Sequence, residues 1–218
     1  MGKAFGTAGV RGVFNRTQTP GQVYRLAEAI AFASGKGSYG VGWDGRKTSA
    51  LLARTVISAV NAVGSDAFVF GVVPTPVVAF GTRSRSCLAG FSVTASHNPP
   101  EFSGVKVFNG EGMELPKSDE ERVERALGVE MMRPSGKFGQ LLPDDSAVDE
   151  YVQALVSQYE KASNPMRIAV DCASGPGGSV TPKCSGVWDT ASYRSMPKFH
   201  GGSQPDTQNR PAPTCPIL

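Results

Sequence analysis

Apolar positions recur at helical spacing through Val23, Leu26, Ala27, Ile30 and Ala31, and Gly35 and Gly37 stop that run. A short apolar step, Tyr39–Trp43, follows and predicts a strand. Leu52, Val56, Ala59, Val60 and Val63 predict a second helix ending at Gly64. Ala67–Val73 predicts the next strand, Pro74-Thr75-Pro76 a stiff turn, and Val77–Phe80 the opening of another helix. Cys87–Val93 predicts a third strand, and the apolar step Gly104–Asn109 comes soon after it. Pro20–Gly21 reads as a turn.

Further on, Ser118 and Glu121 have capping-box spacing, Val123 and Leu127 supply an apolar side, and Gly128 is the expected stop. Residues 130–143 are mixed and turn-rich. Val148, Tyr151, Val152, Leu155, Val156 and Tyr159 predict an amphipathic helix, and Arg167–Gly178 a strand with a glycine-rich turn. Alternating strands and helices predict an α/β layer. The expected division is a first domain over 1–145, the start of a second α/β domain over 146–183, and an irregular tail over 184–218. That tail has no helical period, five prolines and two acidic groups. The second domain is therefore expected to be incomplete, its helix and strand short of cover and open to self-association.

Composition narrows the class. The 218 residues are 40% hydrophobic, with 22 basic and 19 acidic side chains and a formal charge of +3. No block of like charge predicts a nucleic-acid or membrane surface. The N-terminal stretch is too poor in apolar residues for a signal peptide, and no run of eighteen apolar residues predicts a span. Cys87, Cys172, Cys184 and Cys215 lack paired metal spacing and do not form a secreted disulfide framework, so a reduced cytoplasmic protein is expected.

The candidate chemistry lies in TASHNPPEFSGVKV, Thr94–Val107. Ser96 sits just past a strand end, where open α/β sheets place ligands. Pro99 and Pro100 stiffen the loop. His97 can exchange a proton near neutral pH, and Lys106 can neutralise an anion. Together these residues suit phosphoryl transfer through a serine. The same residues also suit a plain turn, with Asn98 favouring it and Lys106 on the solvent side of a strand.

Two motifs in order carry a resemblance. FGTAGVRG, Phe5–Gly12, and the Thr94–Val107 segment resemble the opening and phosphoserine loops of the α-D-phosphohexomutase superfamily, over roughly residues 3–183. The superfamily includes phosphoglucomutase, phosphomannomutase and phosphoglucosamine mutase.

The resemblance implies a three-layer α/β/α first domain with a mixed sheet. It implies that Ser96 carries a phosphoryl group exchanged between the C1 and C6 hydroxyls of a hexose phosphate, through a hexose 1,6-bisphosphate. His97, Lys106 and Arg11 would neighbour that group, with Asp44, Arg46 and Asn98 in support. The phosphate on Ser96 would help hold Mg²⁺. The superfamily's Asp-rich metal loop and its sugar and phosphate loops have no counterpart here, so this chain alone is expected to be inactive; a non-catalytic remnant binding sugar phosphate or a protein is the other expectation. Read two bases later, the codons beyond Lys183 can encode a segment like the superfamily's, so a frameshift near Lys183 or Cys184 is expected, with a divergent or separately evolved short protein as the alternative. The expected partner is a hexose phosphate, with no nucleic acid and no membrane, and the chain either a monomer or self-associating through its second domain.

Overall fold

The computed structural model describes residues 9–127, 136–159, 168–173, 175–188 and 191–193. Six strands form one sheet: β1 (Val10–Val13), β2 (Ser38–Trp43), β3 (Asp66–Val72), β4 (Ala89–Val93), β5 (Phe102–Asn109) and β6 (Leu141–Pro143). Their order is β1-β5-β4-β2-β3-β6. β2 pairs parallel with β3 and β4, and β3 with β6, whereas β5 runs antiparallel to both β4 and β1. The sheet is mixed, as expected.

Alternation along the strands builds two cores. Tyr39, Val41, Phe91, Val93, Val105 and Val107 face α1 (Pro20–Ser34), α2 (Lys47–Ala62) and α4 (Lys117–Leu127). Phe70 and Phe108 face the other way, toward α3 (Thr75–Ser84) and α5 (Ala147–Ser157). This is the three-layer α/β/α arrangement. Tyr39 anchors the first core: its hydroxyl donates to the carbonyls of Ala31 (3.1 Å) and Gly35 (2.5 Å), and burial pushes its phenol well above the ordinary range.

Several boundaries differ from the sequence reading. Pro20–Gly21 is the first turn of α1, not a free turn. Thr19 caps it, accepting from the Gln22 N–H while the Gln22 side chain accepts from the Thr19 N–H. Ser118 lies inside α4 rather than capping it. The Asp119 and Glu120 N–H groups donate to the Pro116 carbonyl, and both acidic side chains suit that end of the helix. Arg11 stands in strand β1, not in a loop.

The helix α5 has cover, contrary to expectation. It packs on α3, with Ala147 and Val152 buried in the second core beside Val77 and Val78. Arg85, just past α3, donates to Asp144 (2.8 Å), to both carboxylate oxygens of Glu150 (2.6 and 2.7 Å) and to Ser146 Oγ (2.7 Å). Regular structure also extends past residue 184, where an irregular stretch was expected. After a 3-10 turn at Pro176–Ser179, α6 runs over Thr181–Trp188, and β8 (Ala191–Tyr193) pairs parallel with β7 (Ile168–Val170). Burial of Val180 and Cys184 in the second core and a Lys183–Asp149 ion pair overcome a weak helical pattern. Residues 194–218, and with them the expectation of an irregular, out-of-frame tail there, lie outside the described residues.

Candidate functional site

Three loops meet at the carboxyl edge of the parallel strands. The β2 loop brings Asp44 and Arg46, the β3 loop leads into Thr75, and the β4 loop carries Thr94–Pro100. The Asp44 N–H donates to the Val93 carbonyl (3.1 Å), which ties the first loop to the last. Ser96 is exposed at the tip, and its backbone is left-handed with φ 58°. A non-glycine residue in that region is uncommon and costs energy unless its surroundings hold it.

Arg46 supplies much of that hold. Its guanidinium donates from Nη2 to the carbonyls of Ser96 (2.9 Å) and Asn98 (2.5 Å), and from Nη1 to those of Pro99 (2.8 Å) and Phe102 (3.4 Å). Asp44 holds that guanidinium from the other side, with Arg46 Nε 3.3 Å from Oδ2. Asp44 also accepts from Ser49 Oγ (2.6 Å), the Arg46 N–H (3.1 Å) and Thr94 Oγ1 (2.7 Å). Thr94 Oγ1 in turn accepts from the Ser96 N–H (2.9 Å). Asp44 and Arg46 therefore shape the loop and have little capacity left for a ligand. Asn98 contributes backbone atoms, its N–H donating to the Ala95 carbonyl (3.2 Å).

The remaining candidates lie around this clamp. His97 is exposed beside Ser96. Arg11 pairs in register with Gly104, and Lys106 pairs with Ser92. Strand alternation puts Arg11, Lys106 and Phe108 on the α3 face of the sheet, where Ser92 Oγ lies 3.1 Å from Thr75 Oγ1. Arg11 Nε is buried without a hydrogen-bond partner. Among the described residues, neither Arg11 nor Lys106 meets a carboxylate. Among those residues the sheet thus presents two cations without a carboxylate partner on the face next to α3, an arrangement suited to an anion.

The described residues do not form a complete Mg²⁺ site. Among the described residues no group of three His, Cys, Asp or Glu side chains could hold a metal. Both Asp44 oxygens are already engaged. A small cavity of about 50 Å³, lined by Ile30, Leu88, Asn109, Leu115 and Val123, lies at the opposite end of β4 from Ser96.

Thr94 and Ser49 were not singled out from the sequence. A Thr whose hydroxyl accepts the N–H two residues on is a recurrent turn device, so Thr94 had a local signal. Ser49 had none, because its role depends on where Asp44 lies.

The family description "Phosphoglucomutase/phosphomannomutase, alpha/beta/alpha domain I" matches residues 2–132. The chain belongs to the phosphoglucomutase/phosphomannomutase family. It is 38% identical over 208 residues to the phosphoglucosamine mutase of Carboxydothermus hydrogenoformans, covering 92% of this chain and 46% of that one. It is 36% identical over 185 residues to the phosphoglucosamine mutase of Clostridium novyi, covering 80% and 41%. A solved structure described as a "putative phosphomannomutase" from Thermus thermophilus superposes with a TM-score of 0.75 at 26% identity, covering 90% of this chain and 46% of that one. The chain spans under half the length of these relatives. Both the resemblance and the fold class read from the sequence are borne out.

Proposed function

We propose that this chain carries the phosphoserine loop of a phosphohexomutase, with Ser96 as the residue that takes and returns the phosphoryl group. The observation that carries this reading is Ser96 exposed on a left-handed turn that Arg46 and Thr94 hold in place. Arg11 and Lys106 are the proposed anion partners, and His97 the proposed proton carrier beside the serine.

In the transfer, the Ser96 Oγ–H loses its proton and Oγ bonds to phosphorus. The bond between phosphorus and the sugar oxygen breaks, and that oxygen gains a proton. From phosphorylated Ser96 the same step in reverse, onto the free hydroxyl of a hexose monophosphate, forms the hexose 1,6-bisphosphate, and return of its other phosphoryl group to Ser96 Oγ frees the other sugar hydroxyl and leaves the C1/C6 positional isomer. The carbonyl clamp keeps the hydroxyl from wandering between transfers, which lowers the entropic cost of each attack. Mg²⁺ would supply charge neutralisation to the phosphoryl group, but its carboxylate ligands are not among the described residues, and no step here depends on it. Among those residues no helix is long and apolar enough to cross a membrane. The thiols of Cys87, Cys172 and Cys184 are free, as a reducing cytoplasm would keep them.

The test is incubation of the chain with glucose 1,6-bisphosphate and Mg²⁺, followed by intact mass. A phosphoryl gain that disappears in Ser96→Ala supports the reading. Binding of the bisphosphate with no covalent gain would favour a sugar-phosphate-binding remnant that does not turn over.

A further inference from the structure

We infer that Thr94 is the positioning residue that sets the left-handed backbone of Ser96, acting as the link between Asp44 and the serine. This rests on the reading of Ser96 as the phosphoryl carrier. Thr94 is only 7% exposed at the end of β4, and its hydroxyl directly joins the Asp44 carboxylate to the Ser96 backbone. It donates to Asp44 Oδ2 at 2.7 Å and accepts from the Ser96 N–H at 2.9 Å. The direction of these bonds is forced. An ionised carboxylate only accepts and an amide N–H only donates, so the hydroxyl must donate to one and accept from the other.

The position of Asp44 is itself fixed. Ser49 Oγ and the Arg46 N–H donate to its other oxygen, and its own N–H donates to the Val93 carbonyl. Thr94 therefore passes a fixed reference point on α2 and the β2 loop to the backbone of an exposed residue. Arg46 grips the same turn through the Ser96 carbonyl. Ser96 is held at both its N–H and its C=O, which leaves its side chain as the free part. Without the Thr94 hydroxyl the N–H is released, and the Cβ–Oγ vector can swing with the backbone.

Amide exchange followed by NMR on the full chain tests the link directly. The Ser96 N–H, although on an exposed residue, exchanges at least tenfold more slowly than its unstructured rate. Thr94→Val removes that protection, and Thr94→Ser, which keeps the hydroxyl, restores it. Exchange at the unstructured rate in the parent chain, or unchanged protection in Thr94→Val, overturns the inference. Phosphoryl gain from glucose 1,6-bisphosphate is measured on the same proteins. Thr94→Val slows it on the order of tenfold to a hundredfold, the scale expected for a misplaced reacting group, and Thr94→Ser recovers it. If the parent chain gains no phosphoryl while the Ser96 exchange pattern holds, the phosphoserine reading fails and the positioning link stands. If the gain occurs but Thr94→Val matches the parent in both measurements, the link fails and the phosphoserine reading stands. Thermal unfolding of each variant identifies any that have lost the fold, and the parent's Ser96 exchange rate decides the matter without them.

Discussion

Arg46 Nη2 lies 2.9 Å from the backbone oxygen of Ser96, fifty residues away in the chain. One guanidinium thus collects carbonyls along a whole turn, a task suited to its planar fork of donors. A lysine keeps the charge but loses the fork. Arg46→Lys is expected to raise amide exchange across residues 96–102 and to cut phosphoryl acceptance at Ser96 on the order of tenfold or more. The core residues Tyr39 and Phe91 should keep their protection, because they lie far inside the sheet. Exchange mass spectrometry with intact-mass kinetics measures both.

The left-handed φ of Ser96 gives a second expectation. An alanine there keeps a Cβ in a region that disfavours it by roughly 1–2 kcal/mol. Glycine removes that cost, and its extra freedom in the unfolded chain returns part of it. Ser96→Gly should therefore be more stable than Ser96→Ala by about 0.5–1 kcal/mol, although both lack the hydroxyl. Urea unfolding of the two variants measures the difference. The reverse order would mean that the turn is not left-handed in solution.

Most helices and strands were legible because their apolar spacing matches a helix or a pleat. Leu52, Val56 and Val60 fall on one face of α2, and all three are fully buried. β1 was not legible. It has four residues, two of them Gly12 and the charged Arg11, and it exists because β5 pairs with it across the chain. β6 was hidden for the same reason, as a three-residue edge strand within a turn-rich stretch. At the site, Ser96, His97 and Asn98 were readable from one contiguous motif. Asp44 and Arg46 were expected in support through the resemblance, but their clamp on that motif was not legible, because Arg46 meets it only after β2 and β4 pair. The cover on α5 was missed because Arg85 and Asp144 are far apart in sequence, and no local pattern marks two distant charges as partners.

The Arg85 cluster yields a pH dependence. For Asp144, burial favours the neutral acid, but the hydrogen bonds from Arg85 and Ser146 outweigh it and hold the carboxyl below its usual range. Glu150 is lowered mainly by its hydrogen bond to Arg85. Depressed carboxyl values in the folded state mean stability that is present above the unfolded pKa, about 4, and is lost as pH falls through the folded values. Arg85→Ala is expected to cost about 2–3 kcal/mol near neutral pH, since it strips a mostly buried carboxylate of its partner. The variant should also lose less further stability than the parent between about pH 5 and pH 2. Urea unfolding across that range, with exchange protection of α5 as a local probe, checks both.

Two glycines separate space from sequence propensity. Gly104 on β5 has no room: a Cβ there would lie 2.7 Å from the Val10 carbonyl, 2.8 Å from Arg11 Cγ and 2.9 Å from the Thr94 carbonyl. Two of those three atoms are backbone and cannot rotate aside. Gly104→Ala should therefore push β1 away from β5 and shift Arg11 and Thr94 together, at a cost of about 1–3 kcal/mol. Because Thr94 holds the Ser96 N–H and Arg11 is a proposed anion partner, phosphoryl gain at Ser96 should fall more than stability alone would explain. Gly21 in α1 is the contrast. A Cβ there would meet only Thr19 Oγ1, at 4.0 Å, and an alanine in a helix is favoured over glycine by up to about 1 kcal/mol. Gly21→Ala should be neutral or stabilising and leave phosphoryl gain unchanged. Equal behaviour of the two variants in urea unfolding and in transfer would show that the close approach of β1, β5 and the Thr94 carbonyl is not what holds the site together.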